Sequence, residues 1–408
     1  MGVSYRSREG ARWGALGAFV LVLVVVAFAQ RLATQSTPAL VMHRTVAAFV
    51  RVPGSPPELA WPREGEAAVE VEGVGGFGST GGSEPVPIAS VAKVMTAYLT
   101  LREHPMPPGE HGFVMTITSA DVEEQGERAE LGESNVPVRV GERITERQAL
   151  QALLLPSANN IAALLAVHDA GTLTAFVRRM NATATQLGMK STTYTDPSGF
   201  NQGTVSTAAD QLRLARVAMR VPAFAKIVDE RSAVLPVAGR VSNFNGLVGV
   251  DGWVGVKTGS DSAAGGCLMF ARHVTIAGSQ LTMLGVVLGQ RQGPLVEAAL
   301  SSAQRLGDSA AAALRVETII PAGTSVVSAS NVNGGHTNVV TTSALQEIGW
   351  AGTAFRVEVL PRASMTRLSA GEQAATVAVR GASVVRTRAL ATHALGSPSL
   401  GWRMRHLL

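Results

Sequence analysis

The segment "PIASVAKVMTAYL", residues 87–99, sets Lys93 three places after Ser90 in a run that is otherwise almost wholly apolar. The chain holds 35 Lys+Arg, yet only four are lysines: Lys93, Lys190, Lys226 and Lys257. Arginine keeps its proton in a protein, whereas a desolvated lysine can become a base. Positions i and i+3 lie on one helix face, so Ser90 and Lys93 can point into the same cleft from a helix's first turn. A serine hydroxyl is a weak nucleophile until a neighbouring base takes its proton, help that is typically worth ~10²–10⁴ in rate. A helix starting at Ser90 also aims backbone N–H groups and its positive dipole end at an oxyanion. S-x-x-K by itself also fits a capping serine beside a surface lysine. Val91, Val94, Met95 and Ala97 argue against that, because they make the helix apolar around Lys93.

Two further motifs supply what such a pair needs. In "PSANN", Ser157 and Asn159 stand two apart at a break between helices, where a turn can direct both side chains into one space. Ser157 can relay a proton between Lys93 and a leaving group. Asn159 can donate to a substrate amide and restrain Lys93, although both residue types also serve as ordinary helix caps. In "VGVKTGS", Lys257 offers a positive charge that holds an anion and lowers the pKa of Lys93. Thr258 and Ser260 can hydrogen-bond a carboxylate. Gly259 lets a substrate backbone approach the strand, and the N–H of Ser260 is an oxyanion donor beside that of Ser90.

The elements that must position these groups follow from the pattern. "EAAVEVEG" (66–73) alternates as a strand, and the glycine-rich "GVGGFGSTGG" after it reads as a hairpin turn. That run matches G-x-G-x-x-G at Gly73, Gly75 and Gly78. It leads into "SEPVP" rather than a helix, so no dinucleotide cofactor is expected. Residues 89–102, 141–171 (broken near Pro156), 173–188, 206–221 and 294–316 read as helices, with a capping box at Thr145 and Gln148. Strands are expected around 232–237 and 253–258, and "GCLMFARHV" and "LTMLGVVLG" form a hairpin across "TIAGSQ". Together these imply an α/β fold, a sheet flanked by helices. Beyond 316 the texture changes to short strands separated by Gly, Ser and Pro, a small β domain.

Composition narrows the class. With 408 residues, 46% hydrophobic and 16% charged, the chain can build two domains and is not disordered throughout. The net charge of +5 comes from arginines scattered along the chain, a solvated surface that does not call for nucleic acid. One cysteine, Cys267, excludes an internal disulfide, and its strand-like setting suits a small apolar residue. The eight histidines show no HExxH or comparable spacing, so no metal is expected from sequence. At the N-terminus, Arg6, Arg8 and Arg12 precede the uncharged run 13–29. About 17–20 apolar residues suffice to span a bilayer, and a basic flank stays in the cytoplasm. Ala27-Phe28-Ala29 equally fits a signal-peptide cleavage site. Either reading exports the chain beyond Arg31. Residues 1–30 are thus a cytoplasmic tip with an anchor or signal, and 31–60 a Pro-rich linker.

S-x-x-K, S-x-N and K-T-G, in this order at 90, 157 and 257, resemble the penicillin-recognising serine enzymes. The closer resemblance is to the D-alanyl-D-alanine carboxypeptidases, the low-molecular-weight penicillin-binding proteins of serine peptidase family S11. "PIASVAKVMTAYL", "LLLPSANNIAALLA", "LGMKSTTYTDPSGF" and "DGWVGVKTGSDSAAGG" all have counterparts there. The resemblance covers about 60–316. It implies a penicillin-binding, β-lactamase-like fold with an α-helical subdomain across 61–316, and a β-rich domain at 317–408. It further implies that Ser90 attacks the bond between the two terminal D-alanines of a peptidoglycan stem peptide, with Lys93 as base and Ser157 as relay. Lys257 and Thr258 would clamp the terminal carboxylate, and β-lactams would acylate Ser90. No metal or cofactor is implied. Two departures stand out: Ala92, where many relatives carry threonine, and Trp253-Val254-Gly255, which lengthens the approach to K-T-G.

Three other readings share the residues. A D,D-endopeptidase would use the same groups. A β-lactamase with a deacylating glutamate downstream of S-x-N is disfavoured, because no glutamate occurs from Ala158 through Asp229. A catalytically silent envelope-binding module would have no need of all five polar groups.

Overall fold

The uncharged run at 13–29 lies inside one uninterrupted helix, α1 (Ser7–Thr34), in a computed structural model that describes residues 7–107 and 109–407. Its stretch Arg12–Thr34 is long and apolar enough to cross a membrane, and its large apolar side chains are exposed. Arg6, one of the basic residues expected to flank it, lies outside the described residues.

The chain forms two units. The larger comprises 53–316 with 348–353; the other comprises the residues up to 52, 317–347 and 354–408. The larger unit is built on a five-stranded antiparallel sheet, in the order Trp253–Asp261, Gly265–Ile276, Ser279–Gln290, Glu66–Val71, Gly75–Thr80. All six residues of Glu66–Val71 are buried, where simple alternation predicts one wet face. The reason is that helices cover both sides of the sheet. Ala67, Val69, Leu268, Phe270, Met283 and Val287 face helix packing from Ala299, Ala303, Leu306 and Ala310, while Ala68, Cys267, Met269, Leu284 and Val286 face the remaining helices. The glycine-rich run expected as a hairpin turn is mostly strand. Only 72–74 turn, and Gly75–Thr80 forms the edge of the sheet. A register shift between Trp253 and Gly255 bulges the strand at the point where the sequence adds residues before K-T-G.

The helices of this unit fall largely within the stretches that the sequence marks, except Ser119–Glu130 and Pro222–Val228, which lie outside them. They are α2 (Lys93–Glu103), α3 (Ser119–Glu130), α4 (Glu146–Leu154), α5 (Asn159–Ala170), α6 (Leu173–Gln186), α7 (Ala208–Ala218), α8 (Pro222–Val228) and α9 (Leu295–Ala313). Thr145 and Gln148 close the expected capping box on α4. Pro156, which cannot donate a backbone hydrogen bond, falls in the gap before α5. Two buried carboxylates dock α7 on the sheet: Glu66 accepts from the Ala208 N–H at its first turn (2.9 Å), and Glu70 pairs with Arg216.

The second unit carries a seven-stranded sheet ordered Val41–Arg44, Ser325–Ser330, His336–Thr341, Val384–Ala391, Gln373–Arg380, Ala354–Pro361, Phe49–Arg51. Residues 31–60 are therefore not simply a linker. Two short strands from that stretch form the two edges of this sheet, and Leu40 and Val52 are buried in its core. Conversely, 348–353 belongs with the larger unit, where Trp350 stacks on Phe77 with ring centroids 3.8 Å apart. Both exchanges pair distant parts of the chain, which local pattern does not report.

The two-sided burial of the central sheet makes Phe270 a test of this packing. Its ring lies over Gly285, where a Cβ would come within 2.1 Å of it, and 5.1 Å from the Trp253 ring. Phe270→Ala is expected to destabilise the larger unit by about 3–5 kcal/mol in urea unfolding. An unchanged midpoint would contradict the core described.

Candidate active site

Ser90 sits in a short 3-10 turn, Ala89–Ala92, that runs directly into α2 at Lys93. The turn is reached through Ala89 in the left-handed region, φ +44°, a conformation that costs a non-glycine residue about 1–3 kcal/mol and persists only where the surroundings impose it. Gly199 permits it, since a Cβ there would stand 1.9 Å from the Ala89 carbonyl oxygen. The apolar run that the sequence places around Lys93 is buried: Val91, Val94, Met95 and Ala97 have no exposed surface, and neither does Lys93 itself.

Lys93 Nζ lies 2.8 Å from Ser90 Oγ and 3.1 Å from the Ser198 carbonyl oxygen. Burial lowers its pKa to about 7, against opposing pulls from Asp196 and Glu133, while Arg128 lowers it further. Near neutral pH the amine thus exists in both forms, and in the neutral one the Ser90 hydroxyl donates to it. Lys257, on the strand Trp253–Asp261, is also fully buried and donates to the Thr258 carbonyl oxygen at 2.8 Å. Its pKa is held well below the ordinary lysine value by burial and then by the charge of Lys93. The expectation that Lys257 drives Lys93 down is therefore refined: burial is the main cause at both, and the repulsion between the two amines falls on Lys257.

The strand meets the serine turn at Gly259. A Cβ at that position would lie 2.9 Å from the Ser90 nitrogen and 3.0 Å from that of Val91, so only glycine fits. Thr258 beside it is buried, whereas Ser260 is exposed. Among the described residues no hydrogen bond ties the Ser260 side chain to Ser90 or Lys93.

Ser157 and Asn159 occupy the α4–α5 break. Ser157 also adopts a left-handed backbone, φ +68°. Among the described residues its buried Oγ has no hydrogen-bond partner, and neither has Asn159 Oδ1. A buried unsatisfied polar atom costs about 1–3 kcal/mol, so two in one turn mark a place left open for another molecule's polar groups. Asn159 Nδ2 donates to Glu133 at 2.7 Å, so the expected donation to a substrate amide and direct restraint of Lys93 give way to an indirect link: Glu133 accepts from Arg128 and acts electrostatically on Lys93. That chain connects the S-x-N turn to the amine.

The sequence motifs omit the groups that hold this arrangement. Asp196 accepts from the Ser198 N–H (3.1 Å) and hydroxyl (2.5 Å) and from the Thr204 hydroxyl (2.7 Å), which fixes the turn whose Ser198 carbonyl faces Lys93. Thr96 ties α2 to the same turn through the Pro197 carbonyl, 2.6 Å. "DPSG" is a strong turn signal and makes that loop visible in sequence. Nothing local marks Glu133 or Arg128. Cys267 is buried in the sheet and its thiol is pushed up to about 12 by burial, in keeping with a packing role.

Residues 79–292 match the D-alanyl-D-alanine carboxypeptidase family, peptidase S11. A D-alanyl-D-alanine endopeptidase of Pseudomonas aeruginosa is 34% identical over 208 residues, 49% of this chain and 63% of that protein. A D-alanyl-D-alanine carboxypeptidase of Mycobacterium tuberculosis is 35% identical over 185 residues, 44% of this chain and 59% of that one. The chain thus spans about three fifths of the length of these relatives. The crystal structure of a Streptomyces DD-transpeptidase superposes on 64% of this chain and 100% of its own with a TM-score of 0.54 and 26% identity. The fold extends further in likeness to penicillin binding protein 5 of Haemophilus influenzae, over 84% of this chain with a TM-score of 0.57 at 17% identity.

Four lysines make the electrostatics directly observable. With carbon-13-labelled lysine, the Lys93 side chain is expected to titrate near pH 7. Glu133→Gln removes a negative charge that favours the ammonium and should move that midpoint lower. Titration of all four lysines near the ordinary 10.5 would contradict the burial described.

Proposed function

This chain belongs to the S11 peptidases, the D-alanyl-D-alanine carboxypeptidase family, and from that premise we propose that it removes the terminal D-alanine from peptidoglycan stem peptides through an acyl-enzyme on Ser90. The observation that carries the reading is the fully buried Lys93 amine, 2.8 Å from Ser90 Oγ with a pKa near 7. A base poised at the working pH is what general-base activation of a serine requires.

The chemistry proceeds in steps whose groups are accounted for. The substrate's terminal carboxylate binds at Lys257 and Thr258; its negative charge favours the Lys257 ammonium, which the empty, buried site disfavours. Neutral Lys93 takes the Ser90 proton as Oγ bonds to the scissile carbonyl carbon. The oxyanion meets the N–H groups of Ser90 and Ser260, beside Gly259. The proton now on Lys93 passes through Ser157 to the departing amine, the C–N bond breaks, and D-alanine leaves. Asn159 Oδ1, without a partner in the protein, accepts from the stem peptide's backbone. Water then attacks the ester carbonyl, the proton returns to Ser90, and the shortened peptide departs. A β-lactam enters the same first step and stays as the acyl-enzyme.

Peptidoglycan lies outside the cytoplasmic membrane, and a cell-wall peptidase acts there. Export through the apolar α1 segment, retained as an anchor or cleaved as a signal, suits that location. A second reading, D,D-endopeptidase action on cross-links, is favoured by the P. aeruginosa relative that bears that name. It uses the same residues and differs in what lies beyond the scissile bond.

The test is D-alanine release from a synthetic acyl-D-Ala-D-Ala peptide, alongside cleavage of a cross-linked dimer and labelling by fluorescent penicillin. Ser90→Ala should abolish all three. Lys93→Arg keeps a positive charge but loses the base, and should lower acylation about 10²–10⁴-fold. Dimer cleavage without D-alanine release would select the endopeptidase reading. Absence of both activities and of labelling in the wild type would leave a binding module.

A further inference from the structure

The far ends of the two helices that start at the site come together in a cluster which no catalytic step uses. α2 ends at its cap residue His104, and α5 carries His168 and Asp169 in its last turn. Asp169 Oδ1 lies 3.3 Å from His104 Nε2 and 3.0 Å from His168 Nδ1, and the three ligand atoms all fall within 4.8 Å of one another. The Asp169 side chain is 1% exposed. Its other oxygen, Oδ2, accepts from the Thr100 hydroxyl at 2.6 Å, and Arg179 donates to its backbone carbonyl at 2.9 Å. Oδ1 is thus held between two imidazole nitrogens, and the carboxylate is oriented from behind as metal-binding carboxylates are. Phe113 stacks on the His168 ring (4.1 Å) and meets the His104 ring edge-on (4.8 Å), which restricts both rings.

A second acidic side chain lies in the same corner. Glu146, at the first position of α4, is 1% exposed, and its Oε1 has no hydrogen-bond partner among the described residues. Its carboxylate is near enough to that of Asp169 to interact with it electrostatically. Ligand atoms around a tetrahedral zinc at 2.0–2.1 Å stand about 3.4 Å apart, close to the two His–Asp spacings.

We propose that His104 Nε2, His168 Nδ1 and Asp169 Oδ1 bind a divalent transition metal, zinc by the nitrogen and oxygen donor set, with Glu146 supplying the second negative charge. The ion would clasp the end of α2 to the end of α5, and so hold the register of the helices that begin with Lys93 and Asn159. Sequence spacing does not reveal it, because His104 is remote from the His168-Asp169 pair and the three share no motif.

The experiment uses the full chain in detergent without a histidine tag. After dialysis against zinc and then against metal-free buffer, metal analysis should find one zinc per chain. Cobalt titration should give the visible absorption of a low-coordinate nitrogen and oxygen site. The wild-type melting temperature should rise with zinc and fall back with chelator. His104→Ala with His168→Ala should lose the bound zinc, the cobalt spectrum and the zinc-dependent rise, with circular dichroism unchanged. Wild-type protein that retains no zinc, or a double variant that retains as much, would overturn the proposal and leave Asp169 as a hydrogen-bonded bridge between two imidazoles. The wild-type result decides alone should the variant fail to fold.

Discussion

The complete burial of one amine governs the organisation of the larger unit. Moving the lysine pKa from 10.5 to about 7 corresponds to a preference for the neutral form, relative to an amine in water, on the order of 5 kcal/mol, which brings the two forms level near neutral pH. That preference requires a helix apolar on every side of Lys93, a carbonyl from Ser198 to orient the nitrogen, and acidic groups distant enough not to restore the proton. Asp196, the strongest acidic pull on Lys93, spends its oxygens on the Ser198 N–H and hydroxyl, the Phe200 N–H and the Thr204 hydroxyl. Glu133 is paired with Arg128, whose charge partly offsets its pull on Lys93, and accepts from Asn159. An arginine at 93 would keep its charge in this buried site and defeat the chemistry, because its guanidinium does not deprotonate.

Rigid elements deliver the remaining groups, and the backbone carries strain where they converge. Ala89 and Ser157, both non-glycine, take left-handed conformations next to or at the two serines. Gly199 and Gly259 permit contacts that any Cβ would forbid, one against the Ala89 carbonyl and the other against the Ser90 nitrogen. Such strain persists only when packing over-determines it. The buried sheet and the helices on both its faces provide that packing, which explains why a site made of turns can be held in fixed geometry.

Much of this was legible in the sequence, for identifiable reasons. The scarcity of lysine made Lys93 and Lys257 conspicuous, and the apolar run around Lys93 announced its burial. The α4 capping box, the break at Pro156 and the hairpin after Ile276 are local signals, and the structure has each of them. What escaped was non-local. The edge strands Val41–Arg44 and Phe49–Arg51 pair with segments far along the chain, so a Pro-containing stretch read as linker. The glycines of 75–80 read as a turn because glycine is a poor strand former, yet the ladder with Glu66–Val71 overrides that preference. Glu133 and Arg128 belong to no motif and reach the site only through folding.

The pH dependence of Ser90 acylation, measured in a single turnover with a chromogenic β-lactam, tests the central claim most directly. With Lys93 as the base, the rate should climb with pH through a midpoint near 7 and level off above it, since only the unprotonated amine accepts the serine proton. A rate that is flat across neutrality and climbs only toward pH 10 would mean that the amine at 93 is charged at rest and does not activate Ser90.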